Sequence, residues 1–429
     1  MAKMAMRVSL ICWMLFFVAA ACTEDQPPAA HDGPRTVDTT LAISCPYVTA
    51  VAAELEIRYE AGRDIELYRD DIRIHVFHSL FKDTLFTDLR LDEDRSYVYS
   101  VVERTPDSGE WKRDSIVVRT FPVSRRSLDF QWLGGYSDLN DVRCAPDGRV
   151  LLTGTAAPLF IHDGFRLNGA GLDARGAGLA LELLPDGSIV ILTEYEIIYY
   201  SNGQANVRPL PQSLNHAYLR HFGGDAVVFG GADGSVFRAT PREIEQFIPP
   251  PGSICTIHDL AVHEGAVYAL IFDRAARSTT LWRGDGRTTA PVVTDREGDD
   301  PSLRIDDELW AVWVAPSGVI YLGGRFLHRV YGSRVTRVEG LPAPLPAPGI
   351  YCIAGMSDAD FMILGPGPFF HHFDGREFHG EDRSDPLIQP RTSPVRMHLD
   401  PTQTVMLLPR VPEGPTLGSW PVSVLHARN

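Results

Sequence analysis

Four short stretches hold the side chains best able to do chemistry: Asp138-Leu139-Asn140-Asp141, Asn215-His216, His258-Asp259 and Asp306-Asp307-Glu308-Leu309-Trp310. Carboxylates and imidazoles gathered about one axis could coordinate a divalent cation or hydrogen-bond a polyol. Two carboxyls at the right separation could hydrolyse a glycosidic bond. The same residue types also begin turns, because short polar side chains bond to nearby backbone N–H groups. Asp141, His216, Asp259, Asp307 and Trp310 are therefore the candidate binding residues, and no catalytic set is assigned. Trp310 and Trp313 could stack on a sugar ring, although Trp313 lies in an apolar strand phrase and reads as core. Arg325 and Arg329, beside Gly323-Gly324, could hold an anion, but lone arginines on edge strands are ordinarily solvated. His371-His372-Phe373-Asp374 cannot chelate as a unit, since adjacent residues of a strand point to opposite faces.

Motifs of other chemistries are missing from the chain. It has no Gly-x-Ser-x-Gly, His-Glu-x-x-His or phosphate loop, and no Cys-x-x-Cys pair, so no cofactor or metal is expected. Cys45, Cys144, Cys255 and Cys352 could form two disulfides in three connectivities in an oxidising compartment, while Cys144 by its apolar surroundings reads as a small buried filler.

The elements that must position these residues come from an internal repeat. Val142-Arg143-Cys144-Ala145-Pro146-Asp147-Gly148-Arg149-Val150-Leu151-Leu152 returns as Leu181 to Leu192 around Pro185-Asp186-Gly187, and as Val312 to Gly323 around Pro316-Ser317-Gly318. Looser copies centre on Gly224 and Gly265. The weakest run from Tyr351 to Leu364 and from Met397 to Leu408. Turn glycines at 148, 187, 224, 265 and 318 are 39, 37, 41 and 53 residues apart, the long interval implying an insertion at Arg287 to Asp307. One four-stranded propeller blade needs about 40–50 residues. Asn202-Gly203, Asp285-Gly286 and Asp374-Gly375 mark a second hairpin per unit. A small twisted sheet cannot bury both faces, so such units stack, and closing the stack removes its edges. The expectation is an all-β chain with a β-propeller over residues 126–429, seven blades on counting the weak copies and six as the alternative. An open solenoid is the competing architecture. The region resembles bacterial propellers with a Pro-x-Gly turn between the two inner strands of each blade. It lacks the Asp-box repeats of sialidase-like propellers and the regularly placed Trp of quinoprotein propellers.

At the other end, Lys3 and Arg7 precede an apolar run from Val8 to Ala20, the layout of an export signal over residues 1–21. Ala19-Ala20-Ala21-Cys22 resembles the lipobox of bacterial lipoproteins. That resemblance implies cleavage before Cys22, lipidation of Cys22 and, with Thr23 next, sorting to the outer membrane. Ala19-x-Ala21 also suits an ordinary signal peptidase. Residues 22–35, rich in Pro and acidic groups, read as a flexible tether.

Residues 36–122 change pattern. Val48 to Tyr59, Ile65 to Phe77, Tyr97 to Val102 and Ser115 to Thr120 alternate apolar and polar residues, as strands of a small sandwich do. Leu91-Asp92-Glu93-Asp94-Arg95-Ser96-Tyr97-Val98-Tyr99 resembles the corner-tyrosine stretch of fibronectin type III domains, with Glu93 and Arg95 in place of the usual Pro and Thr. Leu67 to Asp71 and Phe86 to Leu89 resemble two further phrases of that family. The resemblance implies a spacer or adhesion module that is not itself catalytic, and as a separate domain it is expected to fold independently of the propeller.

With 44% hydrophobic and 22% charged residues the chain can bury ordinary cores. Its net charge of -15 becomes -17 once Lys3 and Arg7 leave, which repels nucleic acid and anionic lipid, so the link to a membrane is the lipid itself. The expected role is non-catalytic recognition of an envelope protein or glycan by the propeller. A carbohydrate-active propeller enzyme using acids at the channel mouth is the alternative.

Overall fold

The computed structural model describes residues 41–428 except 61, 79–82, 105–110, 125–130, 138, 164–165, 215–216, 252–253, 295–304, 306–307, 333, 342–348, 366–369, 381–395, 400–402 and 410–420. The export signal, Cys22 and the tether lie outside the described residues. Among those described, every regular element is a strand.

Strands β1 (Ala42–Val48), β2 (Ala52–Arg58), β3 (Asp64–Arg69), β4 (Ile72–His78), β5 (Asp83–Leu89), β6 (Ser96–Arg104) and β7 (Trp111–Arg119) form two antiparallel sheets, β1-β2-β5 and β4-β3-β6-β7. Period-two alternation drives this packing: in β2, Ala53, Leu55 and Ile57 are buried while their neighbours are not. They meet Ile65, Leu67, Tyr99 and Val101 from the facing sheet. The run from Ile65 to Phe77 is two strands, because Asp70 and Asp71 take φ of 49° and 63° and close a two-residue hairpin. β1 escapes the alternation pattern because it contains Pro46, which sits where the β1–β2 register shifts between Ser44 and Tyr47. The hydroxyl of Tyr97 accepts the N–H of Asp92 at 2.7 Å, tying β6 to the corner before it.

The remaining chain forms seven four-stranded sheets among the described residues, six of them simple meanders. Each repeat phrase folds as expected for its residues. Gly148, Gly187 and Gly318 have φ of 85°, 83° and 85°, and each donates its N–H to the carbonyl three residues back at 2.9 Å. Asp147 and Asp186 accept the N–H two residues on, at 3.1 and 2.9 Å. The Pro-less copy instead uses Glu264 and Gly265, at 46° and 73°, as a two-residue hairpin. Part of the supposed insertion is regular structure: Thr289–Thr294 is the outer strand of the fourth sheet, paired with Ser278–Gly284.

The first strands of successive sheets touch in order: Leu139–Cys144, Gly178–Leu183, Leu219–Gly223, Cys255–His263, Ala311–Val314, Cys352–Ser357, Arg396–Leu399 and back to Leu139–Cys144. The N–H of Cys144 donates to Nδ1 of His398 at 3.1 Å across that last junction. The seventh sheet draws on both ends of the repeat. Its outer strand is β8 (Gln131–Ser137), paired with the terminal Pro421–Arg428. This is a closed ring and excludes the open stack. A separate apolar cluster fills each junction, for example Leu151, Leu181 and Ile191 between the first two sheets. Trp313 packs on Tyr321 and Phe361 between the fifth and sixth. No disulfide joins Cys45, Cys144, Cys255 or Cys352 among the described residues, and burial pushes the Cys45 and Cys352 thiols up to about 12 and about 11.

Candidate functional site

Two of the candidate acids occupy equivalent places. In the first sheet Asn140 is an extra, bulged residue, since Asp141 pairs with Thr153 and Leu139 with Gly154. In the fourth, His258 is the bulged residue between Ile257 and Asp259. Each bulged side chain reaches the next sheet: Asn140 Nδ2 donates to the Gly178 carbonyl at 2.7 Å, and His258 Nδ1 lies 2.9 Å from the Leu309 carbonyl. Each following aspartate then accepts its own strand's next N–H and one from the neighbouring inner strand. Asp141 takes Val142 at 2.9 Å and Leu181 at 3.1 Å, and Asp259 takes Leu260 at 2.8 Å and Val312 at 3.0 Å. Both aspartates are buried.

Arginines balance these acids. The buried guanidinium of Arg143 donates to Asp141 at 2.9 Å, to Glu182 at 3.2 Å and to the carbonyls of Val142 and Leu219. It thereby links the first three sheets. Burial opposes its charge, but Asp141 and Glu182 more than offset this and hold it above the ordinary arginine value. Arg220 donates to Asp259 at 3.1 Å. Arg396, from the seventh sheet, lies 4.4 Å from the ring centre of Tyr218. Its charge is likewise opposed by burial and upheld by Tyr218, Asp141 and Asp259. Burial raises the Asp259 carboxyl, with Arg220 and the Val312 N–H pulling the other way.

Trp310 precedes the fifth inner strand and stacks on His258 with ring centres 4.3 Å apart and planes 5° from parallel. Phe272 lies against His258 at 5.2 Å, and Tyr351 meets Trp310 edge-on at 6.0 Å. One face of the indole is thus occupied by the protein itself. The structure brings Asp141, Asp259 and Trp310 to the inner rim, while His216 and Asp307 lie outside the described residues. Arg329 departs from expectation. It lies on an interior strand of its sheet, Leu327–Tyr331, and is buried against Glu54, not solvated. His372 and Asp360 pair at 2.8 Å within one sheet, as the alternation of His371 and His372 requires.

Sequence reasoning passed over Arg143, Arg220, Arg396 and Tyr218. A charged residue inside an apolar inner-strand phrase, as in Val142-Arg143-Cys144, was the available signal. A buried arginine demands acidic partners. Among the described residues, no three His, Cys, Asp or Glu side chains gather as a cation site.

No protein-family model matches the chain, and no curated protein does. Solved structures do. YCF48 bound to D1 peptide superposes with a TM-score of 0.51 at 12% identity, covering 71% of this chain and 98% of that one. YCF48 from Cyanidioschyzon merolae gives 0.47 at 11% identity, covering 69% of this chain and 97% of that one. The Neurospora crassa Pan2 WD40 domain also gives 0.47, at 9% identity, covering 72% and 98%. At 12% identity the likeness to YCF48 is one of fold, and with the closed ring of four-stranded sheets it places this region in the β-propeller class.

Proposed function

We propose that this chain is an exported, lipid-anchored envelope protein in which a fibronectin type III-like sandwich carries a seven-bladed propeller, and that the propeller's inner rim receives a protein partner without catalysing a reaction on it. One observation carries the reading. Three acids of the rim are saturated by donors: Asp141 and Asp259 by two backbone N–H groups and an arginine apiece, Glu182 by Arg143. Glycoside hydrolysis asks for one carboxyl kept protonated and another open to the sugar. Carboxylates locked to guanidinium groups serve neither role, so the rim acts as rigid scaffolding for the loops around it. A rigid ring with variable loops suits recognition. A propeller of this fold holding a peptide, YCF48 with D1 peptide, is in keeping with a protein ligand. Seven sheets closed by strands from both ends support the blade number. The 3+4 sheets and the Tyr97–Asp92 corner support the sandwich assignment.

The test is to pan a phage-displayed random peptide library on the mature chain and on its Arg220→Ala and Trp310→Ala variants. Peptides enriched on the native chain, and lost on at least one variant, are expected. Enrichment indifferent to both variants, or binding only on a glycan array, would overturn the reading.

A further inference from the structure

A second buried polar network lies away from the rim, where the sandwich meets the fifth and sixth sheets. Nη2 of Arg329 donates to both carboxylate oxygens of Glu54 at 2.7 Å. Its guanidinium also sits 3.7 Å from the ring centre of Tyr47. Tyr47 packs into the apolar cluster of Tyr321, Phe361 and Phe373, and the hydroxyl of Tyr321 donates to the buried Asp358 at 3.0 Å. Backbone bonds cross the same seam: the Ala50 N–H donates to the Gly375 carbonyl at 3.1 Å and the Ser124 N–H to the Asp374 carbonyl at 2.9 Å. Gly375 has φ of 94°, and a side chain there would meet the Cβ of Ala50 at 2.9 Å.

These contacts share one side of the ring. In an antiparallel four-stranded meander, the turn joining strands one and two and the turn joining three and four lie at the same end. Asp358, Asp374, Gly375 and the start of Ile320–Gly323 are all at that end. The segments leading into the inner strands, with Asn140, Asp141 and Trp310, are at the other.

We infer that the sandwich is clamped to the turn-bearing face of the fifth and sixth sheets as one rigid body with the propeller, departing from the independently folding spacer that the sequence suggests, and that it reserves the opposite face for partners. The second half rests on the recognition reading above. The first half does not, because it is tested without any ligand.

Hydrogen exchange on the full chain reads the clamp directly. Segments containing Ala50 and Ser124 are expected to exchange at least about tenfold more slowly than a turn of another sheet such as Asn202-Gly203, since their release requires the seam to open. An Arg329→Ala, Tyr47→Ala double variant and, separately, Gly375→Val are expected to speed them about tenfold, with segments holding Leu181 and Val312 unchanged. Fast exchange at Ala50 and Ser124 in the native chain overturns the clamp whether or not either variant folds. So does protection that survives both variants. A clamp that passes this test while the peptide panning fails would leave the rigid body standing and remove only its assigned use.

Discussion

At the residue scale the rim is held by a device used twice: a bulged Asn140 or His258 that reaches the next sheet, followed by an aspartate that spans to the next inner strand. Removing such an acceptor strands an arginine and two buried N–H groups, a defect worth about 3 kcal/mol. Asp259→Ala is expected to lose about that much in urea unfolding, against under about 0.5 kcal/mol for the exposed Asp173→Ala. Acid sensitivity follows from a different group. Burial alone would raise the Asp374 carboxyl, but N–H groups from Glu377 and Arg376 together with His379 hold it below its ordinary value. The unfolded chain, titrating near about 3.9, therefore takes up the proton first. This contribution to stability is complete above the unfolded value and is lost as pH falls through the lower folded one. Melting temperature should drop between about pH 5 and 3, and Asp374→Asn should flatten that slope. That Asp141 and Asp259 stand near one mouth of the ring was legible in the sequence, though they sit within the inner strands and not in loops before them. The arginines were not, because a lone Arg in a strand phrase shows its charge but not which acid from another sheet will meet it.

At the element scale, the Pro-Asp-Gly phrase declares a hairpin wherever it stands, since only glycine takes the required positive φ without strain. The same local chemistry made the third and fourth strands of each unit readable through Asn202-Gly203 and Asp374-Gly375. Two elements were harder to see. β1 hid behind Pro46, and β8 carries no repeat phrase because it is an outer strand whose partner, Pro421–Arg428, comes from the far end of the chain. That pairing joins the ring's two ends, so a chain stopped at residue 420 is expected to lose the closing strand and expose two unpaired edges. Size-exclusion chromatography should then show aggregation with little monomer. A monomer of native compactness would argue that the ring does not need this seam.

At the scale of the whole molecule, the sandwich precedes the ring in the chain and is tied to it through the Arg329–Glu54 seam. If Cys22 bears lipid, Cys22→Ala expressed in a bacterial envelope should move the protein from the membrane fraction to the soluble one. Unchanged sedimentation with membranes would discard the lipid anchor. A formal charge of -15 leaves little other attraction to an anionic surface, so this is a clean reading.

Local and near-periodic features were settled by the amino-acid order alone: which residues alternate, where glycine must turn the chain, how long one repeat is. Strand, hairpin and repeat follow from interactions among neighbours in the chain, and twisted sheets with two apolar faces have few ways to stack. Distance in the chain hides everything else. Closure through β8, the matching of Arg143 and Arg220 to acids on other sheets, and the burial of Arg329 against Glu54 join residues 39 to 295 positions apart. Only the folded arrangement decides such pairs, because a charge taken out of water selects whichever opposite charge the packing brings within reach.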